Sequence, residues 1–235
     1  MTWRDVLVTG LLFLLPGASM AAAPSAPVAL DKTPPMVFYV AKGATDSCGA
    51  GCDSWIAVEG RVDGDTADRF RKFLRPLKDR HLPIYFFSPG GNLAQALAMG
   101  RMLHERPTIA RVARTMVKEC GTEQTSEACL KLKQSGSVLD AELSTGPAIC
   151  ASACPYLLLG ASTREIAPNA VLGVHSPKIV LHFRGPEPAK NRRAQAMEQG
   201  LDHANQMVAA YLARMHIDRG LLDLAEPSNS KTCIS

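Results

Sequence analysis

Apolar positions fall into two rhythms along this chain: short unbroken runs bounded by turn residues, and longer stretches in which they recur three and four apart. The first rhythm reads as strands and the second as helices. Met36-Val37-Phe38-Tyr39-Val40 and Trp55-Ile56-Ala57-Val58 are the first two strands, separated by a Gly/Cys loop from Lys42 to Asp53. Asp65-Thr66 opens a helical pattern with Ala67, Phe70, Phe73, Leu74 and Leu77 on one face, and His81-Leu82-Pro83 ends it. Ile84-Tyr85-Phe86-Phe87 lacks polar alternation, the mark of a strand covered on both faces in a parallel sheet. It empties into Ser88-Pro89-Gly90-Gly91, and Asn92 is a fit N-cap for a helix carrying Leu93, Ala96, Leu97, Gly100 and Leu103.

This strand, turn and helix form the unit of a right-handed βαβ layer, so the fold class is α/β. Thr108 to Ala113 is the next strand. From Met116 to Leu143 the rhythm loosens, and Cys120 and Cys129 bracket a polar segment. It reads as an insertion over about 116–143, tied down by a disulfide and overhanging the cleft. Pro147 to Ala151 returns to the sheet. Ala153 to Leu159 reads as a helix with Pro155 tolerated in its first turn. Ala170 to His175 is a further strand, extended by Ile179 to Phe183 as an edge. The last long helix runs from about Ala189 to Met215, with Ala194, Met197, Leu201, Ala204, Met207/Val208, Tyr211, Leu212 and Met215 at helical spacing, and a short helix is expected from Asp218 to Leu224.

A chain of 235 residues with 46% hydrophobic and 20% charged residues supports one substantial domain, here residues 36–235. The net charge of +4 is mild and no Lys/Arg block is interleaved with aromatics, so nucleic acid is not an indicated partner. Val6 to Leu15, between Arg4 and the small-residue run Ala18 to Ala23, has the shape of a secretory signal over residues 1–23. Its apolar centre is short for a membrane span and Pro16 breaks it, so no stable span remains after cleavage. A Pro/Ala-rich linker follows over 24–35, and the mature chain is expected to be periplasmic or secreted.

Export gives the seven cysteines a meaning, because an oxidising compartment favours disulfides. The simplest pairing is Cys48 with Cys52, Cys120 with Cys129 and Cys150 with Cys154, leaving Cys233 single. Six cysteines allow 15 pairings, and bridges crossing between the Cys120/Cys129 segment and the Cys150/Cys154 turn compete with it. Cys48, Cys52, Cys150 and Cys154 also have the number and type of ligands for zinc, but the compartment favours bridges, so no metal is expected.

Ser152 stands between Ala151 and Ala153, whose small side chains leave room for a substrate carbonyl. It reads either as a cap for the following helix or as a nucleophile, with the helix start aiming unpaired N–H groups at a forming anion. A nucleophilic serine needs a base within hydrogen-bond reach. Of His81, His104, His175, His182, His203 and His216, the candidate is His175 at the end of a strand, with His182 not separable by spacing alone. Gly90 and Gly91 serve either a tight turn or a close approach of backbone to substrate.

Ser88-Pro89-Gly90-Gly91-Asn92, the Ala151-Ser152-Ala153 turn and Ala167 to His175 come in an order that resembles the ClpP and crotonase superfamily of serine peptidases. The resemblance runs from about Met36 onward. It implies a repeated ββα spiral with a long C-terminal helix that packs against a neighbouring subunit, hence a homo-oligomer. It further implies Ser152 as nucleophile, His175 as base, the Gly91 and Ala153 N–H groups as oxyanion hole, Gly90 and Asn92 against the substrate, and no cofactor. The family's third member is an Asp beyond the long helix. Counting without gaps reaches Asn229, with Asp223 and Glu226 as neighbouring substitutes, and the tail ends early against the family. An exported chain has no ATP-driven unfoldase, so the implied substrates are short or unfolded peptides, gripped by strand addition beside the Gly90-Gly91 edge. The alternative is a weak or inactive binding or assembly module in the periplasm, motivated by the missing Asp and by cysteines on both sides of Ser152. A crotonase-type acyl-CoA enzyme is a third option, against which export argues.

Overall fold

The computed structural model describes residues 32–78, 80–144, 146–181, 183, 185–218, 220 and 233–234. The expected signal, most of the linker, His182, Asp223, Glu226 and Asn229 lie outside these residues, as does most of the helix expected over 218–224.

The elements in chain order are β1 (Val37–Lys42), β2 (Ser54–Glu59), α1 (Thr66–Leu74), β3 (Ile84–Phe87), α2 (Leu93–His104), β4 (Ile109–Val112), β5 (Thr115–Val117), α3 (Glu127–Lys133), β6 (Val138–Leu143), β7 (Ala148–Ala151), α4 (Cys154–Leu159), β8 (Thr163–Ile166), β9 (Ala170–Gly173), α5 (Lys190–Arg214) and β10 (Cys233–Ile234). A seven-stranded sheet has the order β5-β6-β1-β2-β3-β4-β8, and a three-stranded sheet the order β10-β9-β7. In the large sheet β2, β3, β4 and β8 are parallel neighbours, while β1 and β2 form an antiparallel hairpin.

Side chains alternate across a strand, and this sheet is covered on both faces. Ile56, Val58, Ile84 and Phe86 face one core with Phe70, Met99 and Leu103 from α1 and α2. Tyr39, Trp55, Ala57 and Tyr85 face a second core with Val117, Leu139 and Ala141. That explains the unbroken apolar run of β3. A third cluster seats the C-terminal half of α5 on α2 and α4 through Leu97, Tyr156, Val208, Tyr211 and Leu212. The N-terminal half of α5 leaves Met197 and Leu201 exposed, so the apolar stripe read along the helix is buried over only part of its length.

The 116–143 segment is part of the sheet. β6 pairs in parallel with β1 and antiparallel with β5, extending the sheet at the edge beyond β1. Lys133 closes α3 and its ammonium is buried against Glu59, at 2.8 Å. Glu59 also accepts from the Tyr39 hydroxyl and the Thr115 N–H, each at 3.0 Å, and Lys133 donates to the Gln124 carbonyl. Every member of this buried group is thereby paired, which a charge taken out of water requires. Burial, with Glu59 beside it, pushes the Tyr39 hydroxyl far above its ordinary pKa.

The β2–α1 turn is held by charge. Arg69 bonds both Asp63 carboxylate oxygens at 2.8 and 2.9 Å and the Met36 carbonyl at 2.6 Å, and the Thr66 hydroxyl donates to Asp63 at 2.5 Å. Burial works against the Asp63 carboxylate, but the Thr66 hydroxyl and the Arg69 guanidinium outweigh it and hold its pKa at about 2.

Two outcomes follow for stability. Lys133→Ala strands the Glu59 carboxylate and is expected to destabilise the oxidised protein by about 3–5 kcal/mol in urea unfolding. The Asp63 pKa lies below its ordinary 3.8. Its stabilising contribution is therefore complete above that value and is lost as pH falls through about 2. Asp63→Asn is expected to be less stable than the parent at neutral pH, with the difference in thermal midpoint shrinking below pH ~4.

Candidate active site

Three strand ends build the site. β3 ends in the glycine turn, β7 ends at Ala151 just before Ser152, and β9 ends at Gly173, two residues before His175. β7 and β9 are parallel with Ala151 opposite Gly173, so the residues following each emerge side by side. Ser88 bridges the two sheets: its N–H donates to the Ile149 carbonyl at 2.9 Å, and its carbonyl accepts from the Ala151 N–H at 3.0 Å. The Ser88 hydroxyl is turned away from the cleft, bonded to the Gly60 carbonyl at 2.6 Å and accepting from the Gly90 N–H at 3.1 Å.

Ser152 does not cap α4. The N-cap position is taken by Ala153, while Ser152 has φ +60°, the left-handed region that disfavours a residue with a Cβ. Its N–H is held by the Gly173 carbonyl at 2.8 Å. This backbone sends the side chain toward His175, whose Nε2 lies 2.8 Å from Ser152 Oγ. The other ring nitrogen, Nδ1, lies 2.6 Å from the Ser176 carbonyl oxygen. A carbonyl only accepts, so Nδ1 carries the hydrogen, and Nε2 is left to accept from the serine hydroxyl. The group that holds Nδ1 is thus a backbone carbonyl, for which no sequence signal exists.

Gly90 and Gly91 have φ of +95° and +137°. A Cβ on Gly90 would stand 2.5 Å from Ser152 Cβ and 2.7 Å from the Ala153 nitrogen, so the glycine turn lies directly against the serine loop. A Cβ on Gly91 would overlap the Val62 carbonyl. Val62 in turn holds the turn from behind, its N–H donating to the Gly90 carbonyl and its carbonyl accepting from the Asn92 N–H, both at 2.8 Å. Neither the Gly91 N–H nor the Ala153 N–H donates to another described residue. Asn92 caps α2, its side chain accepting from the Gln95 N–H at 3.1 Å.

Ser152, Ala153, His175, Gly91 and Asn92 line one cleft of about 640 Å³, and Gly90 is not among its lining residues. The rest of the lining is largely apolar, with Leu93, Tyr156, Ile179 and Met207 among it. His203 on α5 and Lys178 also reach it, two residues whose side chains gave no site signal by spacing. His81, His104 and His216 are not among the lining residues, and neither is any residue of 116–143. Residues 177–181 form no strand; they pass over α5, where Ile179 packs on Gly200.

The cysteines are bonded as Cys48–Cys52, Cys120–Cys129 and Cys150–Cys154, which divides the four considered for zinc between two disulfides. Three disulfides are consistent with an oxidising, extracellular location. No described helix is long and apolar enough to cross a membrane.

No family model and no curated protein matches the sequence. Among solved structures, the chain is similar to a point mutant of ClpP1 from Listeria monocytogenes, with 12% identity, a TM-score of 0.44, and coverage of 71% of this chain and 75% of that one.

Gly90→Ala is expected to lower stability by at least ~1 kcal/mol in thermal melts, because the new Cβ must adopt a left-handed φ and push on Ser152. Gly64→Ala is the control: its Cβ meets nothing within 4 Å and it should melt within ~0.5 kcal/mol of the parent.

Proposed function

We propose that the chain is an exported serine hydrolase with a ClpP/crotonase-like ββα spiral, acting as a peptidase on short or unfolded peptides. The observation that carries this reading is the 2.8 Å contact between Ser152 Oγ and His175 Nε2, with Nδ1 held by the Ser176 carbonyl. That geometry supports proton transfer from the hydroxyl to Nε2 as Oγ attacks the substrate carbonyl. The Gly91 and Ala153 N–H groups receive the developing oxyanion, where each such donor is worth about 3 kcal/mol in a known case. Nε2 then returns its proton to the leaving amine; in the second half water gives a proton to the same nitrogen as it attacks the acyl carbon, and Nε2 passes that proton to Ser152 Oγ as the ester bond breaks and the acid departs.

A carbonyl dipole orients the imidazole as a carboxylate does but balances less of its positive charge once it is protonated. Asn229 is the candidate third catalytic member by its place in the sequence, with Asp223 and Glu226 as neighbouring substitutes. The peptide lies extended along the Gly90-Gly91 turn, with its side chains on the apolar lining of the cleft. The exposed N-terminal half of α5 is the surface on which a second copy packs.

The test is covalent. A fluorophosphonate probe on the oxidised, folded protein should give one adduct, mapped to Ser152 by mass spectrometry and absent in Ser152→Ala. His175→Ala should slow labelling by ~10²-fold or more, and Asn229→Ala by much less. No adduct on a folded sample, or equal labelling without His175, would defeat the assignment.

A further inference from the structure

The Cys150–Cys154 disulfide spans the serine residue for residue. Cys150 lies in β7 and is the residue bridged to Ser88, at the head of the glycine turn. Cys154 is the first residue of α4, directly after the Ala153 N–H. Both are 0% exposed within the main core, and their Cα atoms are 5.1 Å apart. Between them run Ala151, Ser152 at φ +60° and Ala153. A bridge closing so short a loop restrains the unfolded chain least among disulfides, so its larger effect falls on local native geometry. Backbone held in a sparsely populated region persists only where its surroundings over-determine it.

We infer that the Cys150–Cys154 disulfide is a positioning brace for the reactive centre: it holds Ser152 in its left-handed conformation and fixes the Ala153 N–H relative to the glycine turn. Three tethers converge on this loop. The Ser152 N–H is bonded to Gly173, the Ala151 N–H is bonded to Ser88, and Gly90 packs on Ser152 Cβ. The first acts on Ser152, the second on the β7 side of the loop, and the third by packing alone on Ser152 and the Ala153 nitrogen; none is a bond that reaches α4. The disulfide is the covalent link that does. Its burial makes it a permanent part of the site, set when the chain oxidises. Cys48–Cys52 also closes a five-residue loop by its separation of 4, but it lies in the β1–β2 loop away from the cleft, and Cys120–Cys129 ties α3, which contains Cys129, to the turn before it. These two bridges are internal controls.

The inference rests on Ser152 being the nucleophile, so the experiment carries two independent readouts. The first is the rate of fluorophosphonate labelling, separated into the maximal inactivation rate and the half-saturating probe concentration. Cys150→Ala/Cys154→Ala is expected to lower the maximal rate by ~10²-fold, the effect of roughly a 1 Å misplacement, with the half-saturating concentration little changed. The Cys48→Ala/Cys52→Ala and Cys120→Ala/Cys129→Ala variants should melt lower yet label within ~3-fold of the parent. If the double variant of the brace does not fold, Cys154→Ala alone keeps the Cys150 sulfur in the core and serves in its place. The second readout is the long-range ¹H–¹⁵N spectrum of the His175 ring, which reports the hydrogen bond to Ser152 whether or not the protein turns over a substrate. The parent should show a single tautomer with Nδ1 protonated, and the brace variant a shifted or averaged one. Unchanged labelling and an unchanged ring spectrum in a folded brace variant overturn the inference while leaving the hydrolase reading intact. A parent that never labels, with a ring spectrum that still responds to loss of the brace, overturns the hydrolase reading and leaves the brace standing.

Discussion

The hydrogen bond from the Ser152 N–H to the Gly173 carbonyl is the contact on which this site depends. It continues the parallel pairing of β7 and β9 by one step past the end of the strand, and so brings a hydroxyl and an imidazole from positions 152 and 175 to the same rim. Parallel strands release their chains at one edge of a sheet, and ligands in such folds gather at the carboxyl ends of strands for that reason. Here the ends of β3, β7 and β9 are drawn together although they belong to two sheets. Ser88 makes the join, with one backbone bond to each side of Cys150.

Around that join the chain accepts local costs. A non-glycine residue at positive φ costs on the order of 1–3 kcal/mol, and Ser152 is one of only three such residues among those described. Two consecutive glycines at positive φ add the entropy lost on ordering them. These costs are borne by a sheet buried on both faces, with Trp55, Phe70 and Phe86 fully enclosed. The buried Lys133–Glu59 pair lies on the face opposite α1 and α2 and fastens the disulfide-bonded excursion to the same sheet. A rigid sheet thus carries a strained loop, which is the arrangement a site with fixed geometry requires.

Local pattern made much of this visible in the sequence. β3, the glycine turn and the Asn92 cap were legible because each is specified by residues adjacent in the chain: an apolar run, two glycines and a short polar side chain before a helical rhythm. The order of the three motifs pointed to Ser152 and His175 as neighbours. What escaped was set by distant partners or by backbone alone. β6 alternates buried Leu139 and Ala141 with exposed Asp140 and Glu142, but its place beside β1 comes from parallel pairing across almost a hundred residues. β8 is exposed along its whole length and offers no burial pattern to read. Ile179 to Phe183 looks like a strand by composition, yet Ile179 is occupied by α5 at Gly200. The sign of φ at Ser152 and the carbonyl beside His175 Nδ1 belong to the backbone, which is chemically alike at every residue.

The way the two sheets are joined at Ser88 carries a consequence for the life of the newly made chain. The strand ends at Ser152 and at 173–176 must both be in place before the hydroxyl has its acceptor, and His175 follows Ser152 by 23 positions. A polypeptide still emerging therefore lacks the hydrogen bond between Ser152 and His175. The contact between the two side chains is thus a property of the finished fold and arrives only with its last-made segment.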